Sequence, residues 1–117
     1  MRMTEIDFDG RKPIDSYGPG FFRIEGALIE GPVLMTADGA IRWAGLDDTS
    51  AVLKNLADMD VVFFGMGAEI AHLPRDIAAA LKEAGIAFEI MGTPAACRTY
   101  NVLLSEGRQV GAALLPA

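Results

Sequence analysis

Val61-Val62-Phe63-Phe64-Gly65-Met66-Gly67 is an apolar run that begins after Asp60 and ends on two glycines. A strand with one wet face alternates apolar and polar residues, whereas an unbroken apolar run is what a strand covered on both faces requires. Outward from this strand, toward the C-terminus, Pro74 suits the first turn of a helix whose apolar stripe is Ile77, Ala80, Leu81 and Ala84, with Gly85 closing it. Ile86-Ala87-Phe88-Glu89-Ile90 reads as the next strand. Thr93-Pro94 opens a further helix that stops at Gly107, and Gln109 to Leu115 supplies a last strand. On the N-terminal side, Asp47, Asp48 or Ser50 can cap a helix carrying Val52, Leu53 and Leu56 on its inner side. Strands alternating with helices in this order predict an α/β fold with a largely parallel core sheet.

The first third has a different texture. Arg11 to Gly20 is a Gly- and Pro-rich lead-in. Phe21-Phe22-Arg23-Ile24 and Ala27-Leu28-Ile29 read as strands, with Gly26 as the mark of a bulge. Pro32-Val33-Leu34-Met35 and Ala40-Ile41-Arg42-Trp43 flank Asp38-Gly39, a hairpin-turn dipeptide. An N-terminal antiparallel β layer added to the parallel core is therefore expected, within a single domain spanning residues 1–117.

Composition narrows the functional classes. The chain has 117 residues, 51% hydrophobic and 22% charged, with a formal charge of −6. An acidic balance disfavours nucleic acid and anionic membrane surfaces, both of which need a basic footprint. A single cysteine and a single histidine, Cys97 and His72, leave no material for a disulfide framework, a Cys/His metal centre or a histidine-driven triad. Met1 to Asp7 turns acidic at once and lacks the apolar core of a signal peptide. The longest charge-free stretch, Gln109–Ala117, falls far short of the roughly 20 apolar residues of a membrane span. A cytoplasmic domain that needs no cofactor or metal is the expectation, and its hydrophobic share leaves room for self-association.

Two segments carry candidate chemistry. Gly65-Met66-Gly67 follows a buried strand, where α/β sheets present their ligand crevice. The dinucleotide fingerprint is incomplete, because Ile70 stands where a third Gly or Ala belongs, so a tight turn competes with a small-anion site of backbone amides. In Met91-Gly92-Thr93-Pro94-Ala95-Ala96-Cys97-Arg98-Thr99-Tyr100-Asn101, Thr93 as N-cap and Pro94 as first helical residue put Cys97 in the helix's opening turns. The helix dipole and Arg98 would there depress the thiol's pKa, which makes Cys97 a candidate nucleophile without an evident base. Thr93, Cys97, Tyr100 and Leu104 also form one helical stripe, which assigns Cys97 instead to the core. Arg98, Asn101 and Ser105 make a neighbouring stripe. Arg98 could clamp a carboxylate or phosphate that Asn101 orients, or simply pair with Glu89 on a solvated face. The candidate binding set is thus Gly65, Gly67, Thr93, Cys97, Arg98 and Asn101, with no catalytic group assigned. Arg108 is read as a cation facing the last carbonyls of the helix.

The run from Met91 to Arg108, followed by Val110 and Ala112-Ala113-Leu114, resembles the C-terminal signature of a small α/β domain family. That family occurs in bacteria and archaea, and its mitochondrial branch includes assembly factor 3 of respiratory complex I. Val61 to Gly67 is similar to its strand ending in Gly-x-Gly, and Tyr17-Gly18-Pro19-Gly20-Phe21 to its N-terminal lead-in, so the likeness spans roughly residues 5–115. It implies one compact α/β domain with a second antiparallel layer, and a non-enzymatic helper that binds assembling subunits. Partners would be respiratory-chain or membrane-biogenesis proteins. Gly92 and Pro94 depart from the Asp and Gly that the resemblance leads one to expect.

Overall fold

The computed structural model describes residues 10–69 and 71–117. The acidic start, Met1 to Asp7, lies outside the described residues. In chain order the elements are β1 (Ser16–Gly18), β2 (Phe21–Ile24), β3 (Ala27–Glu30), β4 (Val33–Thr36), β5 (Gly39–Arg42), α1 (Thr49–Leu56), β6 (Val61–Met66), α2 (Arg75–Glu83), β7 (Phe88–Met91), α3 (Thr93–Ser105) and β8 (Val110–Leu115).

β1, β2 and β3 form a three-stranded antiparallel sheet, and the other five strands form a second sheet in the order β5-β4-β8-β6-β7. β6 runs parallel to both β7 and β8, while β4 is antiparallel to β8 and to β5. The expected α/β fold with a parallel centre and an antiparallel N-terminal layer is therefore present, with one refinement. The β4–β5 hairpin leaves the N-terminal layer and extends the central sheet. Val33, Leu34 and Met35 are all buried, so β4 is covered on both faces, as an interior strand must be. Its turn residues are Ala37 and Asp38, one position earlier than the Asp38-Gly39 reading, because Thr36 pairs with Gly39.

Side chains from the central strands point alternately into two cores. Val33, Met35, Phe63, Ala112 and Leu114 face α3 and the small sheet, meeting Cys97, Tyr100, Leu104, Phe22 and Ile24. Leu34, Val62, Phe64 and Ala113 face α1 and α2, meeting Val52, Leu56, Ile77, Leu81 and Trp43. Each fully buried Leu, Ile or Phe of this kind contributes roughly 1.5–3 kcal/mol.

Local signals account for the element ends. Asp48 caps α1, its side chain accepting the Ala51 N–H at 3.2 Å. α2 closes in a Schellman arrangement, Gly85 N–H to Lys82 O at 3.1 Å and Ile86 N–H to Leu81 O at 2.9 Å. Ile86 is consumed by that cap, so the following strand begins at Phe88 and not at Ile86. Gly26 marks a hairpin, not a bulge. Ile24 pairs directly with Ala27, and Glu25 and Gly26 both take positive φ, 54° and 80°, as a two-residue turn of the primed type demands.

Candidate functional site

Gly65, at the end of β6, sits against the first turn of α3. A Cβ placed on it would lie 2.9 Å from Thr93 Oγ1 and 3.0 Å from Thr93 Cα, so only glycine allows this approach. Gly67, with φ of +100°, turns the chain so that its backbone meets the same residue. The Gly67 N–H donates to Thr93 Oγ1 at 2.8 Å, and the Thr93 N–H donates to Gly67 O at 2.7 Å. The Thr93 hydroxyl donates in turn to Leu115 O at 2.6 Å. Gly65, Gly67 and Thr93 are thus brought together as a clasp that fastens α3 to the ends of β6 and β8.

This corrects the reading of the helix start. The N-cap is Gly92, not Thr93, and Pro94 is the second helical residue. Thr93's hydroxyl serves the neighbouring strands instead of its own helix. The clasp also disposes of most of the anion-binding amides that a helix N-terminus offers. Thr93 N–H is bound to Gly67, Pro94 has no N–H, and Ala96 N–H bonds Gly92 O at 3.0 Å.

Cys97 lies in the core, 1% exposed, on the Thr93, Tyr100 and Leu104 stripe. Burial pushes its thiol up to about 12, against a smaller opposing pull from Arg98. A nucleophilic cysteine needs the reverse shift, so the environment favours the protonated, inert thiol. The depressed pKa expected from the dipole is overturned by desolvation.

Arg98 and Asn101 lie on the neighbouring face of α3 and turn toward the N-terminal segment. Arg98 donates to the Tyr17 hydroxyl at 3.4 Å, and among the described residues no ion pair joins it to Glu89. Asn101 forms a two-point bond with one residue, accepting Ile14 N–H and donating to Ile14 O, each at 2.8 Å. Ser105 donates to Val102 O at 2.6 Å. The six candidate residues therefore do not line one cleft: three form the clasp, one is in the core, and two address the lead-in.

The cation at the C-terminus of α3 is Arg11, not Arg108. Arg11 donates to Leu104 O at 3.0 Å and also to Arg108 O. Arg108 contributes its backbone N–H to Leu103 O at 3.0 Å, completing a Schellman closure with Gly107. His72 is exposed in the loop before α2. Among the described residues, no group of three or more His, Cys, Asp or Glu could hold a metal, and no helix is long and apolar enough to cross a membrane.

Two features escaped the sequence. Val102 is 54% exposed in mid-helix and, with Arg98, Thr99 and Leu103, borders an apolar groove of about 410 Å³ on the outer side of α3. A polar cavity of about 410 Å³ lies on the α1 side, between the β4–β5 turn, the end of α1 and Gln109. Its walls come from three distant segments of ordinary residue types. A helical wheel would have found Val102, which falls on the same solvent face as Arg98.

Comparison with known proteins agrees with this architecture. An uncharacterised protein of Rhodobacter capsulatus is 51% identical over 116 residues, covering 99% of this chain and 94% of that one. The human NADH dehydrogenase (ubiquinone) 1 alpha subcomplex assembly factor 3 is 34% identical over 110 residues, 88% of this chain and 60% of the factor, so the match spans somewhat less than two thirds of that relative's length. The crystal structure of an outer membrane protein from Bartonella henselae superposes with a TM-score of 0.80 at 37% identity, covering 94% of this chain and 98% of that one. The family described as a protein of unknown function (DUF498/DUF598) matches residues 14–115, and this chain belongs to it.

Proposed function

We propose that this chain is a non-enzymatic protein-binding module that assists assembly of respiratory complex I from the cytoplasmic side of the membrane. The observation that carries this reading is how the polar groups around α3 are used. The Thr93 hydroxyl, the Asn101 amide and the Gly67 amide are all committed to internal hydrogen bonds, and the one thiol is buried in the core. What α3 offers to solvent is an apolar groove edged by a guanidinium, a surface suited to protein contact. Similarity to a complex I assembly factor supplies the choice of complex. In this reading Arg98, Thr99 and Val102 meet the partner, while Gly65, Gly67, Thr93, Cys97 and Asn101 keep α3 in place.

The test is a deletion strain of the parent organism, with complex I quantified on native gels by NADH oxidation. Deletion lowers the amount of assembled complex, and the wild-type chain restores it. Val102→Glu, on an exposed position that takes no part in holding the lead-in, fails to restore it, and so does Arg98→Glu, which also gives up the Tyr17 contact. Complex I at wild-type level in the deletion strain would sink the proposal. Cell fractionation tests the compartment: the chain is expected with the cytoplasmic fraction, and recovery with outer membranes contradicts that placement.

A further inference from the structure

The polar cavity on the α1 side opens at the amino ends of the parallel strands, at the far end of β6 from the Gly65-Gly67 turn. Asp38, from the β4–β5 turn, and Asp58, from the end of α1, contribute its two carboxylates. Asn55 and Gln109 add amides whose nitrogens donate to Ala51 O at 2.8 Å and to Asp58 O at 3.0 Å. Those bonds hold one amide nitrogen of each side chain against a backbone carbonyl. Ala40, Ile41 and Met59 supply an apolar wall. Among the described residues, no lysine, arginine or histidine lines the cavity. Lys12, which approaches the neighbouring Gly39, is paired at 3.6 Å with Glu25.

We propose that this cavity receives an arginine side chain from a protein partner. Among the described residues its lining combines two carboxylates and two side-chain amides with an apolar wall, and contains no cationic side chain to compete. A guanidinium presents five donors in a plane, which matches acceptors arriving from separate walls, and its three-carbon stem fits against Ala40, Ile41 and Met59. A volume of about 410 Å³ admits one such side chain together with its flanking backbone. The chain's charge of −6 draws a basic partner toward it before contact. Both aspartates remain exposed, so the incoming charge need not be fully dehydrated. The proposal rests on the protein-binding reading above but concerns the opposite face of the central sheet from α3.

The probe is a blocked Gly-Arg-Gly peptide titrated into the labelled protein and followed by amide chemical shifts. A single anchored side chain gives an affinity on the order of millimolar. Shifts are expected at Gly39 to Ile41, Asp58, Met59 and Gln109, and they weaken as salt is added. The neutral citrulline peptide produces none. Asp58→Asn weakens binding by about tenfold, the scale of one charge-assisted hydrogen bond, and Asp38→Asn does the same. Each variant's spectrum reports whether it is folded, and either one alone suffices. Equal binding of the citrulline peptide, shifts confined to another surface, or undiminished binding in both variants would overturn the proposal. So would spermidine binding tenfold tighter than the peptide, since that marks a polyamine site. None of these outcomes bears on complex I levels in the deletion strain, so the two proposals fail independently.

Discussion

Thr93 is buried with its hydroxyl engaged twice, accepting from Gly67 N–H and donating to Leu115 O. Thr93→Val keeps the shape but strands an interior donor and acceptor, so it should lower unfolding stability by about 2–3 kcal/mol. Thr93→Ser, which keeps the hydroxyl, should cost clearly less. Urea denaturation with an unchanged slope checks both, and equal losses would contradict the hydrogen-bond account. The position was legible as special, since Thr-Pro before an apolar stripe marks a helix start. Its partner was not, because a hydroxyl that can cap its own helix can equally bond a strand folded beside it. Cys97 shows the same limit: its helical stripe assigned it to the core, yet only the packing reveals how far desolvation outweighs the dipole. Its thiol titrates near 9.0 when exposed and at about 12 in the fold. Between those values the unfolded chain binds fewer protons than the folded one, so stability is full below pH 9 and falls as pH rises toward 12. Burial raises the Tyr100 phenol too and adds to the decline in the same direction. The melting temperature should therefore fall from pH 8 to 11, and Cys97→Ala should make the fall shallower; an equally steep profile in the variant would refute the assignment.

At the scale of elements, the lead-in from Arg11 to Tyr17 runs antiparallel along α3. Arg11 reaches Leu104 O, the single Tyr100 hydroxyl proton is shared between Thr36 O at 2.9 Å and Lys12 O at 3.2 Å, Asn101 grips Ile14, and Tyr17 meets Arg98. Only its last residues pair in a sheet, so side chains of α3 do the work that a strand ladder does elsewhere. Asn101→Ala removes both bonds to Ile14 and should lower stability by about 1–2 kcal/mol. The distinctive readout is local. Exchange of the Ile14 amide should accelerate far more than that of β6 amides, because the segment opens without the central sheet. Uniform acceleration would mean the lead-in is not separately anchored. None of this could be read from periodicity, since an irregular Gly/Pro-rich segment has no period and its partners lie about ninety residues away. The Arg108 reading failed for the same reason: a basic residue near a helix end is a plausible cap, but Arg11 arrives there from the opposite end of the chain.

At the scale of the whole molecule, what was legible followed from the two-faced burial of the central strands, and that same feature dictates how the protein unfolds. The run Val61 to Phe64 announced a strand covered on both sides, and the α/β class followed from it. The order β5-β4-β8-β6-β7 did not, because apolar runs specify burial without naming neighbours. Strands β4, β8 and β6 send alternate residues into both cores, so neither core can dissolve while the other keeps its sheet. A defect on either side should then destabilise the molecule as one unit. Leu104 fills the core under α3 and Leu56 the core under α1, and neither is more than 1% exposed. Leu104→Ala and Leu56→Ala should each cost about 2–5 kcal/mol, the range for an interior leucine that leaves a cavity. Trp43, the sole tryptophan, belongs to the α1 and α2 core, so its fluorescence reports directly on that side. If the cores are coupled, Leu104→Ala shifts the Trp43 fluorescence transition and the far-UV circular dichroism transition to the same lower urea concentration. A Trp43 transition that stays at its wild-type midpoint while the dichroism moves would show instead that the two sides unfold separately, and that the central sheet does not transmit the loss of one core to the other.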